Sequence, residues 1–503
     1  MQESEATTSV WMETVGMLPR PSLTKDMTAD ICIVGAGIAG LTTAYRLASE
    51  GRSVLVMDDG PIGWGETSRT TAHLTNALDD RYFELERIHG QRGAQLAAES
   101  HTSAIDTIED IVGKERIACQ FERLDGYLFV PPGESTDVLD QELGAVHRAG
   151  LTRVERVPRA PLVGFETGPC LRFPRQAQFH PLRYLNALAE AIEGRGGRLF
   201  TKTHAEEFSD GAPVRVKTSD GPIVSASALV IATNTPINDR LVIHTKQAAY
   251  RTYVIGMPVP HGAVAKALYW DTLDPYHYVR LQNMGDHEVL IVGGEDHKTG
   301  QADDTDQFKR LEAWARERFP MGGGVKFRWS GQIMEPTDGL AFIGRNPGDS
   351  HTYVASGDSG NGMTHGTIAG VLLCDLIQGR DHAWTTLYDP SRISLLATSE
   401  FMKENLNVGA QFRDYVSAGD VDEVGGIHPG TGAIVRDGLK KLAVYRDIEG
   451  TVHTYSPICP HLGCLVNWNT MENTWDCPCH GSRFDAFGNI LNGPANRGLD
   501  QAE

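Results

Sequence analysis

Apolar positions along the chain change their spacing several times, and each change predicts an element. Ile31, Cys32, Ile33 and Val34 form an unbroken apolar run, the pattern of a parallel strand buried on both faces. Leu41–Ser49 then has helical spacing, and Ser53–Met57 is a second apolar strand. From Gln91 to about Ile117 apolar side chains return at Leu96, Ile105, Ile108 and Ile111, which predicts an amphipathic helix. Another covers Tyr184–Glu193 and stops at a glycine-rich stretch, 194–197. Alternating segments between about Val214 and Val292 read as strands, and Thr367–Ile377 closes this part as a helix. From about Ser391 to Val416 the spacing is helical but polar, which predicts a connector. Beyond Gly425 short strands and turns rich in Gly, Asn and Pro predict a small all-β domain.

Composition turns this series into a domain count. The 503 residues suggest three domains at roughly 100–200 residues each. With 41% hydrophobic and 22% charged residues the chain reads as globular, not disordered. A net charge of −19 argues against nucleic-acid binding through a basic surface. No apolar run approaches the roughly 18–20 residues of a membrane span, so no transmembrane segment is expected. The N-terminal stretch MQESEATTSV has neither the basic start nor the apolar core of a signal peptide, and a cytoplasmic location is the expectation. Four of the eight cysteines (Cys32, Cys119, Cys170 and Cys374) are scattered, whereas Cys459, Cys464, Cys477 and Cys479 fall in one short stretch. That clustering fits a local cofactor site better than a secreted disulfide framework.

Gly35-Ala36-Gly37-Ile38-Ala39-Gly40 is a G-x-G-x-x-G turn between a predicted strand and a predicted helix. Its first glycine permits the turn, its second lets a pyrophosphate approach the backbone, and its third allows close helix packing. The helix start presents unpaired N–H groups to the phosphates. Asp58, ending the second strand, lies at the expected distance to bind a ribose hydroxyl. A hydroxyl- and arginine-rich stretch follows at 60–72, and Ala228–Thr233 reads as a buried strand ending at Ala232 and Thr233, both placed among the cofactor contacts. Later come Asp338–Gly344 and the glycine-rich segment Gly357–Gly366, entering the last helix.

Together these strings resemble the flavoprotein family of D-amino-acid oxidase, glycine oxidase and D-amino-acid dehydrogenase, over about residues 28–385. The resemblance implies FAD as cofactor, with contacts from Ser68, Arg69, Thr70, Gly360, Gly362 and Met363. The family's S-G-R-N-G-G pattern reads Thr67-Ser68-Arg69-Thr70-Thr71-Ala72 here. Trp64 or His73 could approach the flavin, and an ordinary hydrogen-bonding role for His73 outweighs covalent attachment. The resemblance also implies an antiparallel substrate sheet over the flavin. In amino-acid oxidases an arginine after a tyrosine-rich strand binds the substrate carboxylate, and Arg280 follows Tyr276, His277 and Tyr278. Strand alternation puts Tyr278, not His277, on the face of Arg280. Arg280 and Tyr278 are therefore the substrate candidates, with Arg251, Tyr253 and His365 as weaker ones.

Cys459-Pro460-His461-Leu462-Gly463-Cys464 and Cys477-Pro478-Cys479-His480-Gly481-Ser482 are the most specific strings in the chain. C-x-H followed by C-x-x-H supplies two cysteines and two histidines, Cys459, Cys477, His461 and His480, the set a mixed-ligand [2Fe–2S] cluster needs. A tetrahedral zinc site is the rival reading. The paired boxes resemble the Rieske [2Fe–2S] domain over about residues 425–498. The resemblance implies a disulfide between Cys464 and Cys479. High-potential members carry a serine and a tyrosine whose hydroxyls bond the cluster region; Ser482 matches the serine, but Phe484 replaces the tyrosine, which predicts an intermediate potential.

The expected architecture is an α/β FAD-binding Rossmann-like domain (1–90, 171–245 and 331–390) with an inserted α+β antiparallel-sheet substrate domain (91–170 and 246–330). A helical connector (391–424) and a small all-β Rieske domain (425–503) follow. The expected activity is FAD-dependent oxidation of a C–N bond in a small-molecule amine or amino acid, with electrons passing through the cluster to an unidentified external acceptor. Alternatives are an O₂-using amine oxidase with a structural Rieske domain, or a non-catalytic redox-sensing module. A pyridine-nucleotide reductase lacks its second glycine motif, and a Rieske oxygenase lacks room after His480 for a mononuclear iron site.

Overall fold

A computed structural model describes residues 7–238, 243–301, 306–393, 407, 419–421, 423–438 and 440–502. The apolar run of the first strand, Met27–Val34, sits inside a sheet of order Phe342–Arg345, Thr352–Ser356, Ile223–Ile231, Met27–Val34, Val54–Met57, Arg198–Phe200. Its central pairs are parallel, so both faces need covering, which explains why the strands read as continuous apolar runs. The hairpin Ala205–Ser209 and Val214–Thr218 extends Ile223–Ile231. Helices Ile38–Ser49, Pro181–Glu193 and Gly362–Ile377 follow the predicted periodicities and share one core with the sheet.

A second sheet has the order Phe327–Pro336, Gln247–Val259, Glu288–Lys298, His277–Asn283, Leu268–Asp271, Glu122–Phe129, Cys170–Gln178, His73–Leu74. It is antiparallel except where Leu268–Asp271 runs beside Glu122–Phe129. The expected two-layer plan is present, but the layers exchange segments differently from the ranges above. Cys170–Gln178, Phe327–Pro336 and His73–Leu74 all pair into the second sheet. Helix Tyr82–Glu115, expected with the substrate layer, packs on Gly362–Ile377 and Pro181–Glu193 because Ala97, Ala104, Ile105 and Ile108 join their core.

The C-terminal part is all-β as expected. It comprises a three-stranded sheet (Thr431–Asp437, Lys440–Arg446, Val452–Tyr455) and a four-stranded one (Asn467–Asn469, Thr474–Asp476, Arg483–Asp485, Ile490–Asn492). The expected helical connector lies mostly outside the described residues. No helix among the described residues is long and apolar enough to cross a membrane.

Candidate functional site

The first strand ends in a glycine turn that only glycine can make. Gly35 has φ +105°, and a Cβ there would collide with the Ala232 carbonyl on the neighbouring strand end. Asp58 closes the turn from the other side: its Oδ2 accepts the Ala36 N–H at 2.6 Å and its Oδ1 the Gly60 N–H at 2.8 Å. Burial and the neighbouring Asp59 push this carboxyl up to about 7. Helix Ile38–Ser49 starts at Gly37, which has no side chain to cap it; the Ile38 N–H donates to the Thr67 hydroxyl at 3.2 Å, and the helix start lines a cavity.

That cavity is bounded by both sheets and by the C-terminal domain. Gly35, Gly37, Ile38, Ala39 and Asp58 line it at the turn. Arg69, Thr70, Ala232 and Thr233 line it further along, as do Gly360, Gly362 and Met363 at the start of helix Gly362–Ile377. Tyr278, Trp64, His73 and His365 also face it. Burial, then Arg280, drives His73 down to about 3, and burial takes His365 down to about 4, so both imidazoles are neutral. The helix start, the small-residue cradle and the Asp58 carboxyl together fit a dinucleotide laid along the turn.

Three expected residues stand elsewhere. Gly40 packs its helix against the Gly35 carbonyl, the packing role of a third glycine. Ser68 is fully buried and its hydroxyl donates to the carbonyls of Trp64 and Gly65, so it braces the helix Glu66–Arg69 rather than lining the cavity. Arg280 is also buried, and its Nη1 donates to the carbonyls of Thr71, Ala72 and Phe179 at 3.0, 2.9 and 3.2 Å. The Arg280 guanidinium thus clasps the turn beneath the cavity instead of presenting itself to a substrate. Its strand neighbour Tyr278 does face the cavity and shares a 2.7 Å hydrogen bond with Thr252. His277 points to the other face, paired with Asp271 at 2.9 Å and stacked on Trp314. Arg251 and Tyr253, the weaker candidates, do not line the cavity. Arg251 is fully buried at the domain boundary and Tyr253 stacks on His297.

Sequence reasoning passed over Asp79, Tyr276, Thr252, Trp270 and Gln332, all of which line the cavity. Tyr276, two positions before Tyr278, carried the signal of strand alternation; the others carried none. The Tyr276 hydroxyl donates to Asp79 Oδ2 at 3.1 Å, and burial raises Asp79 to about 6. Asp79 presses on the glycine segment, where a Cβ at Gly360 would collide with its carboxylate.

In the C-terminal domain the two Pro/Gly boxes form matching loops. Cys459 N–H donates to the Cys464 carbonyl and Gly463 N–H back to Cys459; Cys477 N–H donates to the Ser482 carbonyl and Gly481 N–H back to Cys477. Cys464 and Cys479 are joined by a disulfide, as expected, with Cα atoms 6.4 Å apart. Cys464 and Cys479 also lie within 4.8 Å of Cys477, but their sulfurs are already committed to each other. The two remaining thiols, Cys459 and Cys477, hydrogen-bond to each other. The rings of His461 and His480 stand 5.0 Å apart. His480 Nδ1 is buried with no hydrogen-bond partner. Two facing sulfurs and two adjacent imidazoles, one with an orphaned ring nitrogen, fit the mixed ligand set of a [2Fe–2S] cluster.

The two parts are docked through buried charge. Glu472 of the C-terminal domain and Arg251 are both fully buried, 3.9 Å apart and bridged by the Ser330 hydroxyl. Glu66 accepts the Gln332 N–H at 2.6 Å and the Asn492 amide at 2.9 Å. Arg483 pairs with Asp476 at 3.0 Å, and Arg69 donates to the Ser330 carbonyl. Burial alone would raise Asp476, yet Arg483 and Arg251 hold it below the usual carboxylate range.

Comparison with known proteins agrees with both halves. The family described as FAD dependent oxidoreductase matches residues 30–376, and the Rieske [2Fe-2S] domain matches residues 417–503. A Bacillus subtilis (strain 168) chain named as a Rieske 2Fe-2S iron-sulfur protein, YhfW, is 29% identical over 99% of this chain and 98% of its own length. Gamma-glutamylputrescine oxidoreductase of Escherichia coli (strain K12) is 25% identical over 72% of this chain and 86% of that protein. Among solved structures, glycine oxidase from Geobacillus kaustophilus shares the fold with a TM-score of 0.62 at 17% identity, covering 73% of this chain and 99% of that one. The chain belongs to the FAD dependent oxidoreductase family and carries a C-terminal Rieske [2Fe–2S] domain.

Proposed function

We propose that this chain oxidises a C–N bond of an amine or amino acid, with FAD as hydride acceptor and the [2Fe–2S] cluster as the one-electron outlet to an external acceptor. The observation that carries this reading is Gln332. Gln332 lines the flavin cavity and its Nε2 donates to the Gly481 carbonyl at 3.0 Å, one residue from the cluster ligand His480. Gly481 has φ +81°, and a Cβ there would collide with Ala249, so the ligand loop meets the flavoprotein at closest approach. The ligand histidines also pack against His244, whose ring is 4.9 Å from that of His461. A cluster turned towards the flavoprotein supports electron flow between the two sites.

Gly37 and Ala39 would hold the pyrophosphate with main-chain N–H groups, beside Gly35 and Ile38, whose own N–H groups donate to the Met57 carbonyl and the Thr67 hydroxyl, and Asp58 would take a ribose hydroxyl. Arg69, Thr70, Ala232, Thr233, Gly360, Gly362 and Met363 would flank the remainder of the cofactor. Asp79, Tyr276 and Tyr278 form the substrate end. With Arg280 committed to main-chain carbonyls, an amine suits this end better than an amino-acid carboxylate. Asp79 Oδ2 would orient the ammonium group and, held at about 6 by burial, exchange a proton with it near neutral pH. The likeness to a gamma-glutamylputrescine oxidoreductase supports the same side.

Anaerobic mixing of the loaded protein with a panel of diamines, monoamines and amino acids tests this. The expected result is bleaching of flavin absorbance followed by the paramagnetic signal of the reduced cluster. Peroxide formed in step with turnover while the cluster stays oxidised would establish the oxidase instead. A flavin that no substrate bleaches would point to a redox-sensing module.

A further inference from the structure

The cavity that takes FAD is not closed by the flavoprotein alone. Asn492, Gly493, Ala495 and Asn496, from the last loop of the Rieske domain, line it together with Asp58, Asp59, Thr203 and His204. The loop is anchored to the ribose side of the turn. His204 bridges Asp59 Oδ2 at 3.3 Å and the Asn496 carbonyl at 3.1 Å, while Asn496 Nδ2 donates to the carbonyls of Ala205 and Glu206 at 3.2 and 2.9 Å. Asn492 Nδ2 holds the near end through Glu66 at 2.9 Å. With its nitrogen committed to two carbonyls, the Asn496 amide has its orientation set, and its Oδ1 is buried with no partner. A buried acceptor without a donor costs stability unless a ligand supplies one. The adenosine half of FAD carries such donors, ribose hydroxyls and the adenine amine.

We infer that residues 492–496 are part of the FAD site, with Asn496 Oδ1 accepting a hydrogen bond from the adenosine half, so that the cofactor is held by both domains. The same loop is tied to the cluster. The Ala495 N–H donates to Ser482 Oγ at 3.0 Å, and the Ser482 carbonyl accepts from the ligand Cys477. Any coupling between flavin affinity and cluster loading carried by this hydroxyl is reciprocal by linkage.

Two measurements on the full chain test the assignment without reference to turnover. First, FAD titration of flavin-free, cluster-loaded protein is compared for the natural sequence and Asn496→Ala. The variant is expected to bind about tenfold more weakly, the scale of one buried hydrogen bond, with iron and sulfide content unchanged. Affinity within twofold of the natural protein would overturn the assignment. Second, hydrogen exchange of the natural protein is followed before and after FAD addition, so that a variant that fails to fold leaves the question decidable. Protection of the 490–496 amides on FAD binding is expected, and unchanged exchange there would sink the proposal.

Discussion

Two regions of this molecule bury charge, and they do so in opposite ways. At the domain boundary the cations Arg69, Arg251 and Arg483 meet the carboxylates Glu66, Glu472 and Asp476, three against three. Around the proposed substrate end, Asp79, Asp80, Asp296, Glu335 and Asp358 are all pushed up by burial, and Arg81 offsets this in part at Asp79 and Asp80. A compensated network holds two bodies in register, because removing any member strands its partner in a low dielectric. An uncompensated one stays partly protonated, or waits for a cation from outside. The boundary is thus built to stay shut, and the cavity end suits the positively charged amine proposed as substrate.

The largest effect should come from breaking the balanced side. Glu472→Ala leaves Arg251 buried without its carboxylate, a change expected to cost about 3–5 kcal/mol. Chemical denaturation should show a lower midpoint, and limited proteolysis should release the C-terminal domain early. Glu472→Gln keeps an acceptor for Ser330 and Thr7 and should cost less. Equal stability of the Ala variant and the natural protein would remove the claim that charge locks the domains.

The disulfide offers a hold of a different kind, and removing it separates docking from loop integrity. Cys464 and Cys479 are 15 residues apart, and closing a loop of that size is worth about 3 kcal/mol in the chain-entropy picture. Cys464→Ser with Cys479→Ser should lose iron at lower denaturant concentration, read from visible absorbance. The boundary contacts at Glu472 and Glu66 should survive, so proteolytic release of the domain should not accelerate before the cluster is lost.

Asp79→Asn probes the unbalanced side. Losing one charge-assisted hydrogen bond, worth about 1.5–3 kcal/mol, should raise KM for a cationic amine roughly 10- to 100-fold. Because burial raises Asp79 to about 6, the natural protein should bind such an amine better as pH rises through that value. The variant should lose that dependence. Stability runs the other way. A raised carboxyl favours the folded state most below its unfolded value of about 4 and gives up that advantage as pH climbs through about 6. Flavin-free protein should therefore unfold more easily at pH 7 than at pH 5 through this group, and Asp79→Asn should flatten that difference.

How much of this is legible in the sequence follows from how each site is assembled. The proposed cluster ligands lie between Cys459 and His480 in two contiguous boxes, and the dinucleotide turn is a single run from Gly35 to Gly40; local spacing suffices for both. The proposed substrate end instead joins Asp79, Thr252 and Tyr276 through pairings between distant strands, and no periodicity signals that. Arg280 shows the limit of alternation. It shares a strand face with Tyr278, but two positions along the strand carry it past the cavity to the Thr71–Ala72 turn. The domain ranges differ for a related reason, since segments next to each other in sequence join different sheets.

The smallest effect lies in the cluster's own surroundings, where neither region's charge is altered. The Ser482 hydroxyl hydrogen-bonds the Cys459 sulfur and helps hold that thiol below its ordinary value, after the contact with Cys477. Phe484, fully buried in the same core, has no hydroxyl to offer. A hydrogen bond to sulfur stabilises the reduced, more negative cluster, so its loss lowers the potential and its gain raises it. Ser482→Ala should lower the potential and Phe484→Tyr raise it, each by roughly tens of millivolts, as expected of one hydrogen bond on a one-electron couple. Protein-film voltammetry measures both. Ser482 ties the cluster loop to the Ala495 N–H, so a Ser482→Ala variant that shifts potential but keeps its FAD affinity would show that cluster tuning and flavin closure are separable, whereas a change in both would make this one hydroxyl the joint between them.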